Sequence, residues 1–427
     1  MKTESLNKKI CLFLAVLLTL GCLIFPPSEA AAFNKNTAVA ISNDLSLETM
    51  KAKAYASLYF DSGEISFMSE TAHDRFSVGN LVKLMTLYLT FEAVANGKTG
   101  LKSGVKVSKA AQQISVNRER VFLDSGKGEV ITVEEAVIAV IAGSANDAAY
   151  ALAEHISEAD EETFVAMMNA KALELGLNDT HYCDSTGIKI IDDGQYTSAA
   201  DLCMLSYRLV KDFPDILNYS RITSGMFVHT STGQPDTQMQ NSNALVYSGM
   251  LEGADGLLVG YSNADKYAQA ASASIGGERV IAVVIGEETP ERRAGELKYL
   301  LEYTSRCFET KELDKAGTYV RMISVKDGKS IKAKTCTGAD FSYIANLTEK
   351  YTVEKKIVLD GKVTAPVSKG DIVGKVVYQK VYTDEEGEKQ TEEIGSVDLL
   401  IDEDVDRANW FVRFLRKILS FLGLMEY

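Results

Sequence analysis

Apolar residues recur at two spacings along the chain, and each spacing predicts a different kind of element. Over residues 81–95 they fall close to the helical repeat, which predicts a helix. Over residues 53–67 apolar and aromatic runs flank Asp61-Ser62-Gly63, which predicts two strands joined by a turn. Both kinds of element alternate from about residue 34 to residue 308. This mixture predicts a sheet flanked by helices.

Further signals extend the same region. Thr132 followed by Glu135 forms a capping-box pattern, which opens a helix. Helices are also predicted over residues 145–156 and 161–175. Strands are predicted over residues 267–274 and 278–285, because a Gly-Gly turn joins them. We therefore expect residues 33–310 to form one α+β domain.

The pattern changes after residue 310. Short β-branched runs alternate with Asp-Gly, Lys-Gly and Glu-Gly turns, which predicts a small all-β domain over residues 311–400. The charged stretch 384–393 is expected to be the solvated loop of a hairpin.

The last segment, residues 401–427, has a third pattern. From residue 409 onwards the polar residues Asn409, Arg413, Arg416, Lys417 and Ser420 fall on one narrow helical stripe, and apolar residues cover the remaining surface. The segment is too short and too charged to span a bilayer, but an amphipathic helix of this kind suits the membrane interface. The residues expected to contact the membrane are Trp410, Phe411, Arg413, Phe414, Arg416 and Lys417. The alternative is a helix packed on its own domain or on a partner protein.

The N-terminus, residues 1–32, has the pattern of a secretory signal. Basic residues precede an apolar run over residues 10–25, and Ser28-Glu29-Ala30 resembles a cleavage site. An uncleaved anchor and a lipoprotein attached through Cys22 are the alternatives. We expect an exported protein at the extracytoplasmic face of the cell membrane.

The composition excludes some classes of function. Hydrophobic residues make up 46% and charged residues 24% of the 427 residues, as in ordinary globular proteins. The formal net charge of -14 argues against nucleic acid as a partner. A glycine-rich phosphate loop and a two-His zinc signature are both missing from the sequence. We therefore expect no cofactor.

The cysteines and one short cluster are candidates for further chemistry. The four cysteines outside the signal segment are scattered, so no disulfide pairing is assigned; they are Cys183, Cys203, Cys307 and Cys336. His181, Cys183 and Asp184 are close enough in sequence to suggest a metal site. One cluster without a distant partner is more typical of a loop, so no metal is predicted.

The stretch from Gly143 to His155 contains Ser144-Ala145-Asn146-Asp147 and resembles a known family. It is similar to the Ser-x-Asn region of the serine-type D-alanyl-D-alanine carboxypeptidases, the low-molecular-mass penicillin-binding proteins of peptidase family S11. Stretches resembling the same family occur over residues 168–177, 196–202, 255–261 and 365–371. The resemblance implies a β-lactamase/transpeptidase-like domain, a trailing all-β domain and an amphipathic tail. It also implies peptidoglycan metabolism, with the peptidoglycan stem peptide as a partner.

The same resemblance implies a set of catalytic residues, which this chain keeps only in part. In the family a Ser attacks the peptide carbonyl and a Lys one helical turn later helps remove its proton. Lys83, Ser144 and Asn146 match retained motif positions. Asn80 stands at the nucleophile position, and an amide is not a usable nucleophile. Leu258-Val259-Gly260 stands where the family has the Lys-Thr-Gly that holds the substrate carboxylate.

Literal copies of the missing motifs occur elsewhere and are interpreted as coincidence. Lys98-Thr99-Gly100 precedes Ser144, whereas the family places Lys-Thr-Gly after Ser-x-Asn. Residues 103–106 and 5–8 read Ser-x-x-Lys, but the first lies in a turn and the second in the signal segment. Ser77 is a weak substitute nucleophile, because six residues would place it on the opposite side of a helix from Lys83.

Three hypotheses follow from these patterns. The favoured one is a pseudoenzyme that binds cell-wall peptide, or that positions or regulates an active cell-wall enzyme. The second is an active carboxypeptidase with an unconventional nucleophile. The third is a non-catalytic cell-envelope interaction module that works through its β domain.

Overall fold

The computed structural model describes residues 47–114, 119–384 and 386–421. The predicted signal over residues 1–32 and the end of the tail therefore lie outside the described residues. The chain divides into two compact units, Met1–Ser305 and Arg306–Tyr427.

The first unit combines helices with antiparallel strands. Its strands are, in chain order, β1 (Ala54–Tyr59), β2 (Ile65–Met68), β3 (Gly104–Lys106), β4 (Val130–Thr132), β5 (Ser224–Phe227), β6 (Thr237–Gln240), β7 (Ala254–Gly256), β8 (Val259–Ser262), β9 (Lys266–Ile275) and β10 (Glu278–Glu287). The helices are α1 (Lys83–Ala95), α2 (Lys109–Gln113), α3 (Val133–Gly143), α4 (Asn146–Ser157), α5 (Glu161–Glu174), α6 (Ala199–Asp212), α7 (Ile216–Ser220), α8 (Ala244–Tyr247) and α9 (Pro290–Cys307), the last of which runs past the boundary between the units.

The main sheet has the strand order β2-β1-β10-β9-β7, and β8 also pairs with β9. All of these pairs are antiparallel. The predicted strand pairs over residues 53–67 and 267–285 are confirmed. Strand β8 carries Val259 and Gly260, two residues of the degenerate Lys-Thr-Gly position, and pairs with β9.

Helix α1 is buried on nearly all sides. Ten of its 13 residues are buried, including the polar residues Lys83, Thr86 and Thr90. The two threonines are satisfied by backbone carbonyls, since Thr86 Oγ1 donates to Ser185 O and Thr90 Oγ1 donates to Thr86 O, each at 2.7–2.8 Å. A 3₁₀ turn, Gly79–Val82, leads directly into the helix.

The capping box predicted at Thr132 is present. The Thr132 hydroxyl accepts from the Glu135 backbone N–H at 3.1 Å, and the Glu135 carboxylate accepts from the Thr132 backbone N–H at 2.6 Å. These two hydrogen bonds satisfy two backbone N–H groups that have no partner within the helix at its N-terminus. They fix the start of α3, whose other end carries Ser144.

The second unit is built mainly of strands. They are β11 (Phe308–Asp314), β12 (Tyr319–Ser324), β13 (Lys332–Thr337), β14 (Phe341–Asn346), β15 (Thr352–Leu359), β16 (Ile372–Thr383) and β17 (Lys389–Ile401), and helix α10 (Trp410–Phe421) follows. Five strands form a sheet in the order β12-β13-β17-β16-β15, and β11 pairs with β14. Its core includes Ile323, Val376, Tyr378, Leu399 and Ile401.

One loop prediction is wrong in this unit. The sequence pattern places residues 389–393 in a charged loop over 384–393, but they belong to β17 and pair with β16, where Thr383 lies opposite Lys389. Both faces of this strand end are exposed to solvent, so the charged residues that suggested a loop are compatible with a strand.

Candidate active site

The 3₁₀ turn before α1 is held by close backbone contacts. Gly79 has φ +53, and a Cβ atom on it would lie 2.1 Å from the Tyr261 carbonyl oxygen. A Cβ atom on Gly260 would lie 2.1 Å from the Val78 carbonyl oxygen. Only glycine permits these approaches, so strand β8 and the turn carrying Asn80 are fixed against each other.

The turn and α1 place Asn80 and Lys83 side by side. The Lys83 ammonium donates to Asn80 Oδ1 at 2.7 Å and to the backbone carbonyl of Ser144 at 2.9 Å. The i, i+3 spacing puts the first two side chains on one helix face. Three of the predicted site residues therefore meet at one ammonium group.

The Lys83 side chain is completely buried. Burial lowers the pKa of its ammonium group to about 8, because an apolar environment disfavours the charged form, and the nearby carboxylates of Glu119, Asp184 and Asp147 offset part of this effect. A buried ammonium is stable only when its protons are hydrogen-bonded. Asn80 and Ser144 supply those acceptors.

Ser144 and Asn146 lie at the junction of α3 and α4. Ser144 ends α3 in the left-handed conformation, with φ 50 and ψ 26, and its carbonyl accepts from Lys83. Asn146 begins α4 and is buried. Its Nδ2 lies 3.4 Å from Glu119 Oε2. Its Oδ1 is buried and has no hydrogen-bond partner among the described residues.

Three acidic residues near Lys83 are not predicted as site residues from the sequence. Two of them are Asp147 and Glu119. The Asp147 carboxylate accepts from the backbone N–H groups of Val121 and Leu123 at 3.1 and 3.2 Å, which holds the segment that follows Glu119. The backbone carbonyl oxygen of Glu119 accepts a hydrogen bond from the backbone N–H of Asn146 at 2.6 Å. Of the two, only Asp147 has a sequence signal, because Asp is typical of the first turn of a helix.

Asp184 is the third such residue, and the sequence suggests it only as a possible metal ligand. Its carboxylate is used inside its own loop, where it accepts from the backbone N–H groups of Thr186 and Lys189, both at 2.7 Å. Cys183 Sγ lies 3.4 Å from the Asp193 carbonyl oxygen. No group of three or more His, Cys, Asp and Glu residues suited to a metal occurs in the part of the chain that the structure describes.

The degenerate Lys-Thr-Gly position is apolar. Leu258 is 4% exposed and belongs to the main core, while Val259 begins β8 opposite Gln269. Neither side chain offers a charge or a hydroxyl group. Two apolar side chains therefore stand where the family pattern has a cation and a hydroxyl group.

Ser77 lies before the 3₁₀ turn and outside α1. Its backbone N–H donates to Asp265 Oδ2, and its carbonyl accepts from Ser262 Oγ, each at 2.8 Å. These bonds attach Ser77 to the β8–β9 turn. The hydrogen bonds described for the Lys83 ammonium go to Asn80 and Ser144.

In the second unit, helix α10 exposes its apolar side. Trp410, Phe411, Phe414, Leu415, Ile418 and Phe421 are all exposed. Arg416 points the other way and donates to the carbonyl oxygen of Gly328 at 2.6 Å. Arg413 is partly buried and Lys417 is exposed. In the described ranges, no helix has the length and apolar character needed to cross a membrane.

Comparison with known proteins identifies the family. A family model described as D-alanyl-D-alanine carboxypeptidase matches residues 38–289, which is more than half of the chain. The chain belongs to the D-alanyl-D-alanine carboxypeptidase family. A second model, described as the C-terminal domain of penicillin-binding protein 5, matches residues 308–407. The family resemblance is thereby confirmed, as is the predicted α+β fold followed by an all-β domain.

Individual relatives and solved structures support the same family assignment. The carboxypeptidase DacF of Bacillus subtilis is 30% identical over 87% of this chain and 90% of its own length. Penicillin-binding protein 5 from Haemophilus influenzae is 27% identical, with a TM-score of 0.63 over 84% of this chain and 98% of that one. A structure described as a peptidoglycan synthesis regulatory factor (PBP3) from Streptococcus pneumoniae is 25% identical, with a TM-score of 0.64 over 84% and 100% of the two chains.

Proposed function

We propose that this protein is an exported homologue of D-alanyl-D-alanine carboxypeptidase that no longer forms an acyl-enzyme. It binds the stem peptide of peptidoglycan, or positions or regulates an active cell-wall enzyme. The hydrogen bond between Asn80 and Lys83 carries this proposal, because it places an amide where the family pattern has a nucleophilic hydroxyl.

The chemistry of the amide explains the loss. A serine hydroxyl gives its proton to a base and attacks with an oxygen lone pair. The Asn80 Oδ1 atom carries no proton to remove, and it accepts a hydrogen bond from Lys83 instead. The pair therefore holds the ammonium in place and starts no reaction.

The apolar β8 position is a second loss. A charge-assisted hydrogen bond to a carboxylate contributes about 1.5–3 kcal/mol. Leu258 and Val259 supply no such bond. Binding of a peptide with a free terminal carboxylate is accordingly weaker than the family pattern would give.

The retained residue Asn146 could still take part in binding a peptide. Asn146 Oδ1 is a buried acceptor without a partner among the described residues, and buried polar atoms are normally paired. A peptide N–H group of a ligand would satisfy it. Ser144, which is only partly buried, is a second polar residue at this junction.

The active-enzyme alternative rests on one observation. Burial lowers the pKa of Lys83 to about 8, which increases the fraction of neutral amine available as a general base near neutral pH. An unconventional nucleophile would still be required.

The cellular location is part of the proposal. The signal pattern over residues 1–32 supports export, with mature regions over 33–310, 311–400 and 401–427. The exposed apolar side of α10 supports attachment to the extracytoplasmic face of the membrane.

Cosedimentation with purified peptidoglycan that carries intact D-Ala-D-Ala stem peptides tests the binding function. We expect the exported form to sediment, and the Lys83→Met and Asn146→Leu variants to bind about tenfold more weakly. Lys106→Met is the control, because Lys106 is exposed on β3. Equal binding of all four proteins would contradict a role for the cleft and favour the β-domain module. Release of D-alanine from the peptidoglycan would favour the active enzyme.

A further inference from the structure

Four basic side chains line one open groove in the second unit. Its walls are the β12–β13 hairpin and the segment that follows β15, and it encloses about 640 Å³. The charged residues lining it are Arg321, Lys326, Lys332 and Lys362.

Backbone hydrogen bonds fix the two walls against each other. The Lys326 N–H donates to Val363 O, and the Ala365 N–H donates to Lys326 O, both at 2.8 Å. Buried Ile323 and Val325 join the lining to the domain core. The walls of the groove are thus held in place by the hydrogen bonds and core packing of the β domain.

The positive charge of the groove is not neutralised from within. Among the described residues, none of its four basic side chains forms an ion pair, and all four are exposed. No acidic residue lines the groove in the described part of the chain. Of the acids adjacent in sequence to the lining segments, Asp327 pairs with Arg407 and Asp360 is exposed. This local excess of positive charge occurs in a chain whose formal net charge is -14.

The same hairpin is joined to helix α10. Arg416 Nη1 donates to Gly328 O at 2.6 Å, and the Ala408 N–H donates to Asp327 O at 2.8 Å. The turn between β12 and β13 therefore contacts both the segment before α10 and the polar side of the helix. With that side occupied, the exposed aromatic residues of α10 face away from this contact.

We propose that the basic groove binds the phosphate groups of anionic lipids at the membrane surface on which α10 lies. The inference rests on the membrane attachment proposed above and extends it to a second contact. Lysine and arginine near an anionic surface each strengthen attachment to anionic lipid. The four basic side chains of the groove therefore add selectivity for anionic lipid to whatever the basic residues of α10 supply.

Vesicle cosedimentation with the exported form tests the proposal. We compare vesicles of phosphatidylcholine with vesicles containing phosphatidylglycerol at low salt. In the groove variant, Lys326, Lys332 and Lys362 are each replaced by Gln. The control carries Lys350→Gln, Lys356→Gln and Lys375→Gln, which removes the same charge from exposed sites of the same domain.

We expect the groove variant to lose about tenfold or more of its affinity for phosphatidylglycerol vesicles, with binding to phosphatidylcholine unchanged. The control should lose much less. Equal losses in both variants would overturn the proposal and leave net charge as the cause. Undiminished binding of the groove variant to phosphatidylglycerol vesicles would overturn the proposal as well. The proposal would also fail if the unaltered protein bound a soluble glycerol-phosphate polymer through the groove but bound both kinds of vesicle equally.

A helix variant separates this proposal from the one on which it rests. Phe411→Ser with Phe414→Ser should abolish binding to both kinds of vesicle. If it binds both as well as the unaltered protein does, the proposed attachment through α10 fails. If it loses binding while the groove variant keeps its lipid selectivity, attachment stands and only the groove proposal fails.

Discussion

Asn80 and Lys83 are joined by a 2.7 Å hydrogen bond across one helical turn, and the lysine is completely buried. In a serine acyl-transfer site the corresponding pair would be nucleophile and base. Here the Lys83 ammonium donates to the Asn80 side-chain oxygen, and under the proposed function this pair has a structural role in place of a catalytic one.

The Asn80 acceptor should therefore stabilise the fold. Replacing Asn80 with Leu leaves the buried ammonium with one described acceptor fewer, so we expect the free energy of unfolding to fall by about 1–3 kcal/mol at neutral pH. Urea denaturation measures this change. Asn96→Leu is the control, because Asn96 is exposed after the end of α1. An Asn80 variant as stable as the control would show that the hydrogen bond contributes nothing.

The pKa of Lys83 predicts a pH dependence with a definite sign. Its pKa is about 8 in the folded protein and has its ordinary value of 10.5 in the unfolded chain, which therefore binds more protons between those values. The free energy of unfolding should then rise with pH between about 8 and 10.5, relative to a variant without the amine. Denaturation of the protein and of Lys83→Met across this range provides the comparison. Parallel curves would contradict the lowered pKa.

Gly260 should tolerate no side chain. A Cβ atom there would lie 2.1 Å from the Val78 carbonyl oxygen, so Gly260→Ala must separate β8 from the turn that carries Asn80. We expect a loss of roughly 2–4 kcal/mol in the free energy of unfolding. Gly295→Ala is the matched control, since the added atom meets nothing within 4 Å on helix α9. That change should be neutral or stabilising by up to about 1 kcal/mol. Similar values for the two variants would refute the packing argument.

The candidate site residues could be predicted because the family resemblance rests on short motifs with fixed internal spacing. Given that resemblance, the three-residue spacing places Asn80 beside Lys83, and the structure brings them together. Glu119 could not be predicted in this way. It reaches Asn146 from an irregular segment, and its backbone adopts φ 55, a conformation for which Glu carries no sequence signal.

The tail shows a similar limit. Sequence periodicity separates the polar stripe of α10 from its apolar side but does not say which of them faces the domain. Arg416, one of the residues expected to contact the membrane, donates to the Gly328 carbonyl oxygen, a contact that the pattern does not predict. This contact depends on the position of the β12–β13 turn. That position is set by the pairing register of the strands, which the hydrophobic pattern of α10 does not contain.

Reaction with a penicillin tests the central claim most directly. The exported form and an Asn80→Ser, Leu258→Lys, Val259→Thr triple variant are each incubated with the drug, and their intact masses are measured. We predict no adduct on the natural protein and one covalent adduct on the variant, because the variant restores the hydroxyl, the cation and the second hydroxyl to a preserved scaffold. An adduct on the natural protein would contradict the account, and peptide mapping would then name the residue that reacts.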